Sequence, residues 1–262
     1  MRALVGSGEV DLTRPPGDDG LFGPQSAAWR VHGDFSAMMI GGISALLLQM
    51  LHPLALAGVW DHSGFRDDRQ GRLKRTARFI AATTFGSTEL ARGSIAQVRA
   101  IHDRVHGILP DGTRYDANDP RLLTWVHVAE VDSFLRGYLR YREPAMSAAD
   151  QQRYLIETAR IAEALGATDV PRSRSEIDAY YARMRPELRA DHRTREVATA
   201  LLAPGDDKAT TSAMNLAVAA AVDLLPSWAQ ALHGRSLPVL ARPAVRLSAG
   251  GMGGVLRWAL RG

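Results

Sequence analysis

The chain contains no cysteine among its 262 residues. This absence excludes disulfide frameworks, zinc fingers and ribbons, iron–sulfur clusters and thiolate-ligated haem, because all of these need cysteine sulfur. Any bound metal must therefore be held by imidazole, carboxylate or backbone oxygen, and eight histidines are present. Lysine is also scarce: Lys74 and Lys208 are the only two, so the other basic residues are arginines.

A secretory leader and a nucleic-acid-binding pattern are lacking as well. Residues 1–34 contain acids, prolines and glycines where a signal peptide needs an apolar stretch, so we expect a cytoplasmic protein without a signal peptide. Acidic residues are interspersed with the arginines, and no basic stripe alternates with aromatic residues. We therefore expect no nucleic-acid partner, although the formal net charge is +4.

Helical periodicity dominates the chain, and no strand-rich block is present. The sequence predicts a mainly α fold with a single helical domain and one short β-hairpin, whose tip is Pro110-Asp111-Gly112. We divide the chain into a flexible N-terminal segment (1–19), a helical domain (20–235) and a basic C-terminal tail (236–262). The glycines at 250–254 predict a flexible break in that tail.

Capping residues locate the helices. The predicted helices run from Phe35 to Leu51, from Arg72 to Phe85, from Ser87 to about His106, from Asp119 to about Arg140, from Ser147 to Gly166, from Ser173 to Met184, and from Ala209 to Leu224. Ser173 and Glu176 have capping-box spacing, and residues 61–70 are expected to be a polar connector. The apolar stretch Ala37–Trp60 is interrupted by Pro53, which favours a buried core helix over a membrane-contacting one.

Histidine lies on two apolar helix faces. In the helix from Ser87, three- and four-residue spacing aligns Ala91, Ile95, Val98, His102 and Val105. His106 would follow one turn after His102, at the same helix end. The helix from Asp119 has a similar stripe, formed by Leu123, His127, Val131 and Phe134. Each imidazole fits either a core histidine with one hydrogen-bond partner or a group that binds a cofactor.

A third pattern lies on the helix from Arg72. Arg72, Arg75, Thr76 and Phe79 share one face at i, i+3, i+4 and i+7. Two guanidiniums beside a hydroxyl and an aromatic ring fit a bound anion such as a haem propionate, a phosphate or a carboxylate. The alternative is an amphipathic helix whose arginines lie at the water boundary. Di-iron, zinc-protease, hydrolase-elbow, P-loop and dinucleotide motifs are all missing from the sequence.

Many of these residues also resemble the catalytic domain of the MpaB and rubber-oxygenase (latex clearing protein) family. The matching residues lie in order within about residues 20–190: Phe22-Gly23-Pro24, Trp29, Gly33-Asp34, Leu46-Leu47-Leu48-Gln49, His52-Pro53, Gly58, Asp61-His62-Ser63, Phe65, Arg72-Leu73-Lys74-Arg75-Thr76, Phe85-Gly86, Ile101-His102, Val105 to Gly107, Tyr115-Asp116-Ala117, Asp119-Pro120, Leu123, Trp125-Val126-His127 and Asp132-Ser133. No single motif carries the resemblance.

The resemblance implies a mostly helical fold with a globin-like core and a b-type haem. Better-known members are oxygenases that cleave carbon–carbon double bonds in isoprenoid chains. When the residues are matched by position, the resemblance implies that His102 is the iron ligand. His106, four residues later, is the alternative. Arg72 and Thr76 match the family's arginine and threonine near the haem.

The candidate site therefore contains two groups of residues. Candidates for catalysis are Arg72, Arg75 and Thr76. Candidates for contact with the cofactor are His102, His106, His127, Arg72, Phe79 and His52, with His102 as the metal ligand. One residue departs from the family pattern: rubber-cleaving members have an iron-ligating lysine where this chain has Arg75. A guanidinium stays protonated and cannot ligate iron. No glutamate of this chain is matched to the catalytic glutamate of those enzymes.

These observations predict a haem b-dependent oxygenase whose histidine-ligated iron activates O₂ toward a hydrophobic, unsaturated or aromatic small molecule. Two alternatives stay open. One is a non-catalytic haem protein for gas sensing, haem carriage or electron transfer. The other is a cofactor-free helical protein that binds a lipid-like ligand. Peripheral membrane contact and a homo-oligomer are both compatible with the sequence.

Overall fold

The structure is a computed structural model that describes residues 17–64, 69–203 and 208–259. Most of the predicted flexible N-terminal segment, residues 1–16, lies outside the described residues. The first five helices are α1 (Ala27–His32), α2 (Phe35–Gln49), α3 (Pro53–His62), α4 (Arg69–Phe85) and α5 (Thr88–His102). A two-stranded antiparallel hairpin follows, formed by β1 (His106–Ile108) and β2 (Arg114–Asp116).

Seven further helices complete the described part of the chain. They are α6 (Pro120–Tyr141), α7 (Ala148–Leu165), α8 (Arg174–Met184), α9 (His192–Leu202), α10 (Lys208–Leu224), α11 (Ser227–His233) and α12 (Arg242–Ala259). Short 3₁₀ turns at Arg185–Glu187 and Val239–Ala241 precede α9 and α12. The predicted mainly α fold with one short hairpin is confirmed.

The helices α2 and α6 form the central pair of the fold. Gly41 and Gly137 lie where the two helices cross. A Cβ atom on Gly41 would be 2.8 Å from the Ser133 carbonyl oxygen, and one on Gly137 would be 2.8 Å from the Ala37 carbonyl oxygen. Both distances are shorter than carbon and oxygen tolerate, so the two glycines permit a close approach of the backbones that any other residue would prevent.

Two hydrogen bonds of Gln49 join the end of α2 to α6. Its side-chain amide donates to the Val126 carbonyl oxygen at 3.1 Å, and its own carbonyl oxygen accepts from the indole N–H of Trp125 at 3.1 Å. Trp125 is completely buried, as are Leu47 and Leu48 of α2. The prediction that α2 is a buried core helix is therefore confirmed.

Within the described residues, no single helix has both the length and the apolar content to cross a bilayer. The helices α2 and α3 reach that length only together, and they are bent by 104° at the break between them.

Local capping signals are confirmed at several helix starts. The Asp119 carboxylate accepts from the Arg121 backbone N–H at 2.8 Å, with Pro120 in the first turn. Ser147 accepts from the Asp150 N–H, and Gly166 ends α7 with a φ of +112°. Ser173 accepts from the Glu176 N–H as predicted, but the Glu176 carboxylate accepts from the N–H of Arg172 instead of completing the capping box.

Two predicted boundaries are wrong. The helix α5 ends at His102 and not near His106, because the chain there enters the hairpin: Val105 accepts from the Ala117 N–H, and His106 pairs with Asp116. The connector expected at 61–70 is shorter, because Pro53 starts the additional helix α3, which continues to His62. Residues 65–68 of that connector lie outside the described residues.

The predicted break at glycines 250–254 is also wrong, since α12 continues through them. Arg246 and Arg257 anchor the helix to Asp223 and Asp34, respectively. Gly253 is needed for close packing, because a Cβ there would be 2.9 Å from the Ser36 hydroxyl oxygen. The ion pairs and this contact stabilise α12, although the four glycines at 250, 251, 253 and 254 by themselves disfavour a helix.

We predict that Gly41→Ala and Gly137→Ala each destabilise the protein. The added methyl group has no space at the α2–α6 crossing, and overpacking of this kind costs about 1–3 kcal/mol. Urea unfolding measures the loss. Gly250→Ala in α12 is the matched control, because nothing lies within 4 Å of its Cβ position. That variant should keep or slightly increase stability. Equal stability of all three variants would contradict the close crossing.

Candidate functional site

His102 lies at the C-terminal end of α5, on the predicted stripe. Ala91 and Ile95 of that stripe are buried, and Val98 and His102 are half-buried. The His102 Nδ1 atom is buried and has no hydrogen-bond partner among the described residues. Burial lowers the pKa of His102, while the nearby Asp103 and Asp116 raise it. The ring is therefore a neutral imidazole with one nitrogen left unsatisfied.

The position of His106 differs from the expectation. It was predicted to follow His102 on the same helix, but it is the first residue of β1 and its side chain is exposed. Its pairing with Asp116 in the hairpin explains the difference. Of the two histidines proposed as iron ligands, only His102 has a buried ring nitrogen without a partner in the described residues.

The face of α4 that was expected to bind an anion is at the surface in its described part. Arg75 and Thr76 are exposed and each has an interaction partner, and Phe79 is half-buried. The side chain of Arg72 lies outside what the structure describes. The helix packs against α5, so these residues and His102 belong to adjacent helices.

His127 and Glu130 lie on one face of α6, at i and i+3. His127 is buried, and its Nε2 atom has no hydrogen-bond partner in the described part of the chain. Burial lowers the pKa of His127 to about 4. Burial also raises the pKa of Glu130 to about 7, and no hydrogen bond or charge among the described residues opposes this effect. Glu130 keeps some accessible surface, yet the surrounding protein shields its carboxyl from bulk water.

His32 joins three helices around these residues. Its Nδ1 is 2.8 Å from the Thr84 hydroxyl of α4, and its Nε2 is 2.9 Å from the Tyr154 hydroxyl of α7. Burial, together with the nearby His127, lowers the pKa of His32 to about 3. Glu130 contributes to the raised pKa of Tyr154. We call His32, Thr84, His127, Glu130 and Tyr154 the inner polar cluster.

His52 has a different environment. It is the N-cap of α3, and its Nδ1 accepts from the Leu54 backbone N–H at 3.3 Å. Its Nε2 is 3.8 Å from a carboxylate oxygen of Glu187. Burial lowers its pKa to about 4. Both ring nitrogens therefore face groups of the protein, which is typical of a structural histidine.

In the described residues the arrangement offers single histidines to a bound cofactor and not a protein-built metal centre. No group of three or more histidine, aspartate or glutamate side chains in the described residues could hold a metal ion. A haem iron needs only one neutral imidazole from the protein. The unsatisfied buried nitrogens of His102 and His127 fit this requirement.

Sequence reasoning missed Glu130, His32 and Tyr154. Glu130 had one detectable signal: it lies in an apolar helix with no arginine or lysine three or four residues away. A glutamate in that context has no local partner and is expected to be neutralised or to face a bound group. His32 and Tyr154 had no such signal, because they meet only when α1 and α7 pack together.

The chain was compared with known proteins. The family model described as "ER-bound oxygenase mpaB/B'/Rubber oxygenase, catalytic domain" matches residues 29–258. No curated protein and no solved structure matches the chain. The globin-like core implied by the resemblance therefore stays a prediction.

We predict that Glu130→Gln changes how stability depends on pH. The folded protein keeps this carboxyl protonated up to about pH 7, whereas in the unfolded chain the carboxyl loses its proton near its ordinary pKa of 4.5. Its contribution to stability is therefore present below that value and is lost as the pH rises to 7. The variant should match the original protein near pH 4 and exceed it by about 3 kcal/mol near pH 8.

Urea unfolding at several pH values between these limits tests the prediction. Glu89→Gln is the control, since Glu89 is an exposed glutamate of α5. Its stability difference should not grow with pH. If the stability difference between Glu130→Gln and the original protein also stays constant with pH, the Glu130 carboxyl ionises in the folded protein as it does in water. That result would contradict the prediction.

Proposed function

Because the chain belongs to the family of ER-bound oxygenase mpaB/B′ and rubber oxygenase catalytic domains, we propose that it is a haem b-dependent oxygenase. An oxygenase catalytic domain uses O₂ to oxidise a small molecule. The proposal adds the haem, its ligand His102, and a hydrophobic, unsaturated or aromatic substrate. The observation that carries it is the neutral His102 ring, whose buried Nδ1 has no partner in the described residues.

His102 supports the proposal by its position and protonation state. An imidazole ligates iron only when it is neutral, and burial keeps His102 neutral at physiological pH. Val98, half-buried about one turn before His102 on α5, is an apolar side chain that a bound haem would contact. A bound haem b would supply activation of O₂ at its iron, and the protein would control access and orientation.

The adjacent helix α4 offers groups for the acidic edge of such a cofactor. The guanidiniums of Arg72 and Arg75 can neutralise propionates, and the Thr76 hydroxyl can donate a hydrogen bond. Arg75 and Thr76 are exposed, so we assign them to the rim of the proposed site. Phe79, half-buried one turn further along, can pack against the ring.

The inner polar cluster supplies a group that can hold a proton. With a pKa of about 7, Glu130 is divided between the protonated and ionised forms at physiological pH. His127, on the same face of α6, stays neutral and can donate or accept a hydrogen bond. His32 is held between the Thr84 and Tyr154 hydroxyls, so the side of the cluster that faces α1 is rigid.

We predict that the protein, expressed with added haem, shows a Soret band that His102→Gly removes or shifts. Added imidazole should restore the band in that variant, because a free imidazole can replace the missing ring. His106→Gly is the matched control and should keep the spectrum, since His106 is exposed in β1. Far-UV circular dichroism verifies that each variant is folded.

Three outcomes decide among the candidate functions. O₂ uptake that depends on an unsaturated apolar substrate supports the oxygenase. A haem-loaded protein that consumes no O₂ with any apolar substrate supports a non-catalytic haem protein. A folded protein that neither retains nor takes up haem overturns the proposal and leaves a cofactor-free ligand-binding protein.

A further result bears on the iron ligand alone. If His127→Gly loses the Soret band and His102→Gly keeps it, the ligand is His127 of α6 and not His102.

A further inference from the structure

The C-terminal helix α12 turns its charged side toward the protein. Arg246 donates to both carboxylate oxygens of Asp223, at 2.7 and 3.2 Å, and Arg242 is 3.8 Å from the same group. Near the other end, Arg257 donates to Asp34 at 3.0 Å. Both carboxylates are buried. The arginines of α12 therefore hold the helix on the protein, on the side that faces α10 and α2.

The opposite side of α12 is apolar and exposed to solvent. The positions on this outward face follow three- and four-residue spacing: Ala244, Leu247, Gly251, Val255 and Trp258. Leu247, Val255 and Trp258 are 76%, 66% and 79% exposed, and in the preceding 3₁₀ turn Val239 and Leu240 are 73% and 94% exposed. Large apolar side chains that share one exposed face indicate an interaction surface.

The part of the chain that contains α12 carries an excess of positive charge. Residues 234–262 contain five arginines and no lysine, aspartate or glutamate. The two buried carboxylates, Asp34 and Asp223, are together contacted by five guanidiniums, those of Arg140, Arg142, Arg242, Arg246 and Arg257. Three positive charges are therefore left without an acid in this cluster, and the guanidiniums are partly exposed.

We infer that α12 and the preceding turn, residues 239–259, dock the protein on an anionic lipid surface. Tryptophan, leucine and valine would enter the boundary between headgroups and acyl chains. The partly exposed arginines on the protein-facing side of the helix would attract the anionic headgroups from about one helix diameter away. A second copy of the chain fits less well. A two-fold contact would bring the same positive charge against itself.

This surface is separate from the proposed oxygenase site, so the inference does not depend on that site. Its test is flotation of the full chain with vesicles of phosphatidylcholine alone and of phosphatidylcholine mixed with phosphatidylglycerol. We expect the protein to float with the mixed vesicles, to bind the neutral ones at least about tenfold more weakly, and to be released as the salt concentration rises.

The double variant Leu247→Gln and Trp258→Gln should reduce binding to the mixed vesicles at least about tenfold. Its thermal midpoint and haem spectrum should not change, because both side chains face solvent. Ile108→Gln is the matched control, since Ile108 is a similarly exposed apolar residue on the hairpin, 63% exposed. It should bind like the original protein.

Three results would overturn the inference. The first is a protein that stays with the soluble fraction whatever the vesicles contain. The second is equal binding by the double variant and the original chain. The third is a concentration-dependent dimer, measured by light scattering, that the double variant abolishes, because this result would assign the face to self-association.

Discussion

The close crossing of α2 and α6 is the constraint on which the rest of the structure depends. Gly41 and Gly137 let the two backbones touch, and this contact determines the rotation of α6 about its axis. Glu130 lies seven residues before Gly137 and His127 seven residues before Phe134, so both are on the side of α6 that crosses α2, two turns nearer the start of the helix. His32, which is held by its two hydroxyl partners, is close enough to His127 for the two rings to interact electrostatically. The same two glycines therefore position both the core and the inner polar cluster.

Buried polar groups in this protein fall into two classes. Asp132 is fully buried and satisfied: it accepts from Arg136 at 2.7 Å, from Arg174 at 2.6 Å and from the Tyr181 hydroxyl at 3.2 Å. His127 and His102, in contrast, each have a buried nitrogen without a partner in the described residues. Folded proteins satisfy nearly all buried polar atoms, so such exceptions indicate a bound group or a chemical role. Other exceptions among the described residues are Asn118 Oδ1 and the hydroxyls of Ser133 and Tyr141, so the two histidines stand out because they also lie on the apolar stripes.

Local signals made much of the fold predictable. Asp119-Pro120, Ser147 and the Pro110-Asp111-Gly112 turn act within a few residues, and the structure confirms all three. Boundaries set by distant contacts were missed: α5 ends at His102 because β1 pairs with β2, and α12 continues because its arginines reach Asp223 and Asp34. For the site, the three- and four-residue spacing of apolar residues predicted the two stripes that contain His102 and His127. The inner polar cluster joins four helices, and no spacing within one helix could reveal it.

The preference for arginine over lysine has a structural use in this chain. Asp34, Asp132 and Asp223 are buried, and each is contacted by at least two guanidiniums. A planar guanidinium can donate to both oxygens of a carboxylate, as Arg246 does to Asp223, whereas an ammonium is a strongly hydrated point charge that is harder to bury. Much of the positive charge therefore serves to hold helices together from within. In α12 the protein-facing side combines these arginines with Val245 and the buried Ala249, while the large apolar side chains Leu247, Val255 and Trp258 face outward.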